Sequence, residues 1–326
     1  DGWSGVFFRY RRDTMRLDFS AAPAIPPPPS PTDGSATPPN IRPSGAFKVF
    51  YQERDGIDST TVATFRVSAD SVFGTFIDPS GDHGLMAGIQ SGSMVELHRF
   101  TAWQANLIEM EFREGTWQGR YYARDLSPRT FFLKPLPSLP QTPLDRRQTR
   151  MKDSRKPFMF EGITADGDTI RSTDERFRGR VVLVDIMGTW CHNCLDAAPL
   201  LQQLYEDFQK QGLEIIGLSF EITNDPAVGR LNLDIYRRRH GITFPLLYAG
   251  SLAPENVNTR LRSHLDDFFA YPTTLFIGRS GRVEKIHWGF KGPGTGEEYQ
   301  QEIDAFYNGV RSMLRDSRPR NSTSLP

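Results

Sequence analysis

From residue 45 to 133 apolar and polar positions alternate with a period of two, interrupted by turn residues, the pattern of half-buried strands. It predicts strands over 47–51, 61–68, 72–77, 84–90, 93–100, 107–113, 116–123 and 130–133. Glu114-Gly115 is a two-residue hairpin turn between two of them, and Asp78-Pro79-Ser80-Gly81 is a second turn. About eight short strands in hairpin succession imply an antiparallel sandwich or barrel. Two shorter runs, 6–10 and 15–19, read as strands that join this β domain, so residues 1–20 are assigned to it.

After residue 157 the period changes. Val181-Val182-Leu183-Val184-Asp185-Ile186-Met187 is a continuous, largely β-branched run, which reads as a central strand buried on both faces. Leu200, Leu201, Leu204, Tyr205 and Phe208 follow at helical spacing, and Gly212 is a left-handed stop, so a helix is predicted over 191–210. An entry hairpin is expected at 158–163 and 169–171, and a second parallel strand at 214–220. Asn224-Asp225-Pro226 supplies a cap and a first-turn proline for a helix ending near His240. A short strand over 244–248 and a helix over 254–265 come next, then strands over 273–277 and 283–288. Thr295-Gly296-Glu297-Glu298 reads as a capping box opening a last helix that ends near Leu314.

Two breaks separate these regions. Residues 21–44 carry nine prolines and almost no apolar bulk, too little to offset ordering entropy, and read as an extended linker or loop. Residues 136–157 combine prolines with Arg146, Arg147, Arg150, Lys152, Arg155 and Lys156, a solvated linker that places the domain boundary. The β domain is thus 45–135, an α/β domain spans 158–315, and 316–326 is a tail expected to fray.

Composition narrows the partners. The 326 residues carry 39 basic and 39 acidic side chains, so neither nucleic acid nor a strongly charged membrane is indicated. No apolar run approaches the roughly 20 residues needed to span a bilayer. The chain begins at Asp1 rather than Met, and an upstream signal or membrane anchor is expected to have been removed. In the β domain Trp103, Trp117, Tyr121 and Tyr122 are read as core or cross-strand aromatics, with a recognition surface as the alternative. Glu109 and Glu111 share a strand face, a solvated pair rather than a hydrolytic one.

The chemistry lies where the central strand hands over to its helix. Cys191 and Cys194 are the only cysteines, spaced as Cys-x-x-Cys at a helix start. Unpaired backbone N–H groups and the helix dipole favour a thiolate there, so Cys191 is expected below the free value of about 8.5, with His192 adding to the effect when protonated. Cys194, one turn on, is placed to resolve a mixed disulfide formed at Cys191. A structural staple closing so short a loop would remove only about 2 kcal/mol of unfolded-state entropy. A zinc site would need further ligands, and His83, His98, His240, His264 and His287 are scattered, so no metal is expected. Trp190 is read as shielding the sulfurs and shaping the docking surface. Asp185 is read as a buried proton acceptor with a raised pKa, the alternative being a strand carboxylate satisfied by a nearby polar group, and Glu221 as either a second carboxylate near Cys194 or a solvent-facing group.

Trp190-Cys191-His192-Asn193-Cys194 after a buried strand, with Tyr271-Pro272-Thr273-Thr274 before a later one, resembles the TlpA-like thiol-disulfide oxidoreductases, relatives of the ResA type, over about half of the chain. The resemblance implies a thioredoxin-like fold behind an N-terminal β accessory domain. It implies attack by Cys191, resolution by Cys194 and a cis bond at Pro272, which with Tyr271, Trp190 and His192 would line the substrate site, and it matches Asp185 to the buried acid of thioredoxins. Two departures stand out: Asn193 replaces the proline of thioredoxin, and Ala197 the glutamate of the ResA type. The expected activity is reduction of disulfides in exported, periplasmic or cell-envelope proteins by a monomer fed by an upstream electron donor, with no metal or organic cofactor. Alternatives are an oxidant or isomerase using the same site, a peroxidase, and a binding module in which this fold is only a scaffold.

Overall fold

The computed structural model describes residues 41–53, 56–101, 104–123, 128–140 and 148–315, with the backbone of a hairpin over 3–10 and 14–21. That hairpin, β1 (Trp3–Tyr10) and β2 (Thr14–Ala21), pairs antiparallel and belongs to a unit separate from the rest of the described residues. Most of the proline-rich stretch, and the tail from 316, lie outside the described residues, as do Trp103, Arg146 and Arg147.

The described residues from 41 to 315 form one compact unit. Its first part is an eight-stranded antiparallel barrel: β3 (Gly45–Glu53), β4 (Val62–Ser68), β5 (Ser71–Asp78), β6 (Met86–Ser91), β7 (Met94–Phe100), β8 (Ala105–Arg113), β9 (Thr116–Ala123) and β10 (Arg129–Leu136). Each strand pairs with the next, and β10 returns to β3 with Phe131 opposite Tyr51, so the sheet closes and its edges are satisfied. The period-two pattern follows directly. Val49, Tyr51, Phe65, Phe76, Leu97, Ile108, Met110, Phe131 and Leu133 point inward and are buried, while the intervening Phe50 and Phe132 stack at 4.9 Å. Glu114 (φ 51°) and Gly115 (φ 81°) both take the left-handed conformation at the β8–β9 turn, as a turn that follows strand twist requires. Trp117 and Tyr121 belong to the core. Glu109 accepts from Tyr122 at 3.0 Å, and Glu111 accepts from Ser93 at 3.2 Å and pairs with Arg113, so the two carboxylates have separate partners.

The second part is a seven-stranded sheet with helices on its faces. Its strands are β11 (Glu161–Ile163), β12 (Thr169–Arg171), β13 (Val181–Met187), β14 (Leu213–Glu221), β15 (Leu246–Ser251), β16 (Thr273–Ile277) and β17 (Val283–Trp288), in the order β12-β11-β15-β14-β13-β16-β17. Strand β13 is central and wholly buried, parallel to β14 and antiparallel to β16. The helices are α1 (His192–Phe208), α2 (Pro226–His240) and α3 (Glu297–Arg315). One face of the sheet packs Leu183, Leu201, Leu204, Phe276 and Phe306; the other packs Val184, Ile186, Ile216, Phe220 and Phe268.

Three local expectations change. The strand expected at 244–248 begins at Leu246, because Pro245 has no N–H for a ladder and offers only its carbonyl, to Gly217. The helix expected over 254–265 is α-helical only over Pro254–Val257, then widens to a π-turn over Asn258–Arg262 before Leu265 pairs with Met151. The capping box does not form: the Thr295 hydroxyl donates to Gly292 O at 2.8 Å and the Glu298 carboxylate pairs with Lys291.

Candidate redox site

The site forms where β13 ends. Gly188-Thr189-Trp190 turns the chain into α1, and Cys191 is its N-cap, with extended backbone (φ −86°, ψ 120°). A Cβ at Gly188 would lie 2.2 Å from Trp190 Nε1 and 2.9 Å from Phe220 O, so this turn needs glycine. Glu221, buried at the end of β14, holds the turn by accepting from Thr189 N (3.0 Å) and Thr189 Oγ1 (2.7 Å), and also from Ser219 and Asn232. Its carboxylate therefore anchors the segment before Cys191. Tyr236 of α2 donates to Cys194 O at 2.7 Å and fixes the first turn from the other side.

Both cysteines are free and buried, with relative exposures of 4% for Cys191 and 1% for Cys194. The Cys194 amide donates to Cys191 Sγ at 3.3 Å, the cap hydrogen bond expected of a sulfur at this position. Cys191 Sγ in turn donates to Tyr271 O at 3.4 Å. The Tyr271–Pro272 bond is cis. Trp190 donates from Nε1 to Phe220 O at 2.8 Å and meets the Tyr271 ring edge to face at 5.4 Å, and Tyr271 meets Phe268 likewise at 5.2 Å.

Asp185 is opposite Thr274 in the β13–β16 ladder and accepts from its hydroxyl at 2.7 Å. Burial pushes its carboxyl up to about 7, against smaller opposing effects of Thr274 and His287. Burial, Cys191 and the charge of Asp185 together push the Cys194 thiol well above its ordinary value. The two groups therefore favour sharing a proton over being charged together. Structure thus brings Asp185, Trp190, Cys191, Cys194, Tyr271 and Pro272 to one locus. His192 faces the barrel, its Nε2 donating to Asp82 O at 2.7 Å. Among the described residues no group of three or more His, Cys, Asp or Glu side chains could hold a metal ion.

The sequence profile of the AhpC/TSA family matches residues 154–286, which contain β13, the cysteines and β16. The thiol-disulfide oxidoreductase ResA of Geobacillus thermodenitrificans is 30% identical over 140 residues, covering 43% of this chain and 70% of that protein. The chain belongs to the ResA family of thiol-disulfide oxidoreductases. The ResA protein of Bacillus subtilis is 27% identical over 139 residues, covering 40% of this chain and 69% of that one. Among solved structures, a thioredoxin-family thiol:disulfide interchange protein from Chlorobium tepidum aligns with 97% of its own chain and 49% of this one, at 20% identity and a TM-score of 0.36.

This ResA-family enzyme carries features that local sequence patterns did not reveal. Arg99 of β7 forms a two-point pair with Asp196 of α1 at 2.9 and 3.0 Å, and the fully buried Asp82 accepts from the Gly292 amide at 2.6 Å. Neither contact has a signal at i±3 or i±4 spacing, because the partners lie 97 and 210 positions apart. Glu221 is a candidate from the sequence, and its burial excludes the solvent-facing reading; the hydrogen bonds by which Glu221 and Tyr236 fix the site leave no motif.

Proposed function

We propose that the enzyme reduces disulfides in protein substrates through the Cys191/Cys194 dithiol. The supporting observation is one geometry: Cys191 Sγ lies at a helix start against the Cys194 amide, beside the main chain of Tyr271, with the proton-accepting Asp185 behind Cys194. Cys191, as thiolate, attacks a substrate sulfur; the substrate disulfide breaks and a mixed disulfide forms. Cys194 then gives its proton to the Asp185 carboxylate and attacks Cys191 Sγ. The second substrate thiolate leaves and is protonated, and the enzyme holds a Cys191–Cys194 disulfide. The Asp185 proton returns to solvent, and an upstream dithiol donor restores the reduced pair. Trp190, Tyr271 and Pro272 form the wall against which a substrate segment docks. Action on exported proteins outside the cytoplasm belongs to this reading.

Cys194→Ser tests it. The variant should accumulate mixed disulfides through Cys191 with proteins of its native extract, released by dithiothreitol. A variant that captures no protein, while wild type turns over a model disulfide, contradicts the assignment of Cys194 as the resolving thiol.

A further inference from the structure

The β5–β6 loop of the barrel lies on the first turn of α1. Asp82 O accepts from His192 Nε2 at 2.7 Å, and Ser80 O accepts from Asn193 Nδ2 at 3.4 Å. Both residues between the cysteines are therefore held by main-chain oxygens of the barrel. The Asp82 carboxylate locks the loop by accepting from Gly292 N at 2.6 Å, Gly84 N at 3.0 Å and Thr75 Oγ1 at 3.2 Å, while its amide donates to Phe290 O at 3.3 Å. The Arg99–Asp196 pair closes the contact one turn along α1, with both side chains about 15% exposed (14% and 15%).

Close approach is built into both sides. A Cβ at Gly81 would lie 2.3 Å from Asn193 Nδ2 and 2.7 Å from Phe290 O, and one at Gly289 would lie 2.7 Å from Ser80 O. Gly81 (φ 131°) and Gly289 (φ 72°) also adopt backbone that side chains disfavour.

We propose that this barrel turn is a working part of the redox site: by holding His192 and Asn193 it sets the dithiol–disulfide equilibrium of Cys191 and Cys194, with Asp82 and Arg99 as positioning residues. Two effects act in the same direction. A carbonyl accepting from Nε2–H keeps a proton on that nitrogen and supports the imidazolium form next to Cys191, which favours an anionic sulfur over a disulfide. The same contact holds the segment in the free-thiol geometry, in which the Cys194 amide reaches Cys191 Sγ. Both stabilise the reduced pair, so releasing the turn makes the pair a stronger reductant. The proposal rests on the thiol-disulfide reading above.

The test equilibrates full-length wild type, Gly81→Ala and Arg99→Ala with glutathione buffers. Each enzyme loses two electrons and two protons to form Cys191–Cys194 while one glutathione disulfide becomes two thiols. The expected result is an equilibrium constant shifted at least tenfold toward the disulfide in both variants, about 30 mV for a two-electron couple. Phe50→Ala, which removes an outward aromatic stack of the barrel that takes no part in these contacts, controls for general destabilisation and should leave the constant within twofold. Cooperative thermal unfolding identifies the folded variants. A constant within twofold of wild type in a folded Gly81→Ala or Arg99→Ala protein, a shift toward the dithiol, or an equal shift in Phe50→Ala overturns the proposal. A wild type with no reversible couple would instead sink the redox reading and this inference with it.

Discussion

Burial raises the Asp185 carboxyl to about 7, and among the described residues the Thr274 hydroxyl is its one side-chain hydrogen-bond donor. The carboxylate form is the one that takes the Cys194 proton. Resolution of a mixed disulfide should therefore slow as pH falls through about 7, close to tenfold per unit below it. Asp185→Asn should lose that dependence and slow the step by about a hundredfold or more, measured by stopped-flow with a preformed mixed disulfide. The sign for stability is opposite. A carboxyl raised in the folded state from 3.8 to about 7 contributes stability below the unfolded value and loses it as pH rises through 7. Asp185→Asn should accordingly gain in melting temperature over wild type at pH 8, and the gain should shrink toward pH 5. A constant difference across that range would contradict a buried titrating acid.

At the scale of single elements, the turn from β13 into α1 depends on Glu221. Replacing it with alanine leaves Thr189 N–H and two buried hydroxyls without their acceptor, at about 1–3 kcal/mol for a buried unsatisfied group. Chemical denaturation should show that loss, and the Trp190 emission should shift as its turn loosens; a stability within error of wild type would contradict the anchor. These elements were legible in the sequence to different degrees. The run 181–187, the Gly212 stop and the Asp225 cap are local signals, and each forms: Gly212 is left-handed at φ 104° and Asp225 accepts from Ala227 N at 2.8 Å. The region 254–265 was not legible, because its helical spacing is overridden by the pairing of Leu265 with Met151, more than a hundred residues earlier in the chain. Alternation in the barrel predicted the strands but left sandwich and barrel equally open, since closure depends on the β10–β3 pairing rather than on any one strand.

At the scale of the whole molecule, the barrel and the α/β part share one compact unit, although a basic, proline-rich stretch between them reads as a free linker. One of the contacts that join them is an ion pair with both side chains mostly shielded from solvent. Removing one member of a fully buried pair typically costs about 3–5 kcal/mol, because the other charge is left without compensation, and the mostly shielded Arg99–Asp196 pair should lie toward or below the low end of that range. The unit should therefore unfold in a single calorimetric transition that includes both parts, and Arg99→Ala should lower or split it. Two transitions in wild type would contradict a shared interface. The composition of the chain carries no trace of this arrangement, since the rest of the contact is made by main-chain oxygens and glycines whose partners are fixed only by the tertiary fold.

The central claim, that Cys191 and Cys194 form a reversible redox couple, is tested most directly by equilibrating the protein in glutathione buffers and counting free thiols by alkylation and mass. A single two-electron couple confined to these cysteines is expected, and a potential near or below about −230 mV is what a reductase fed by a stronger donor requires. A potential near or above about −180 mV would contradict the reductive direction, and two thiols that stay unoxidised across the whole range would contradict the claim itself.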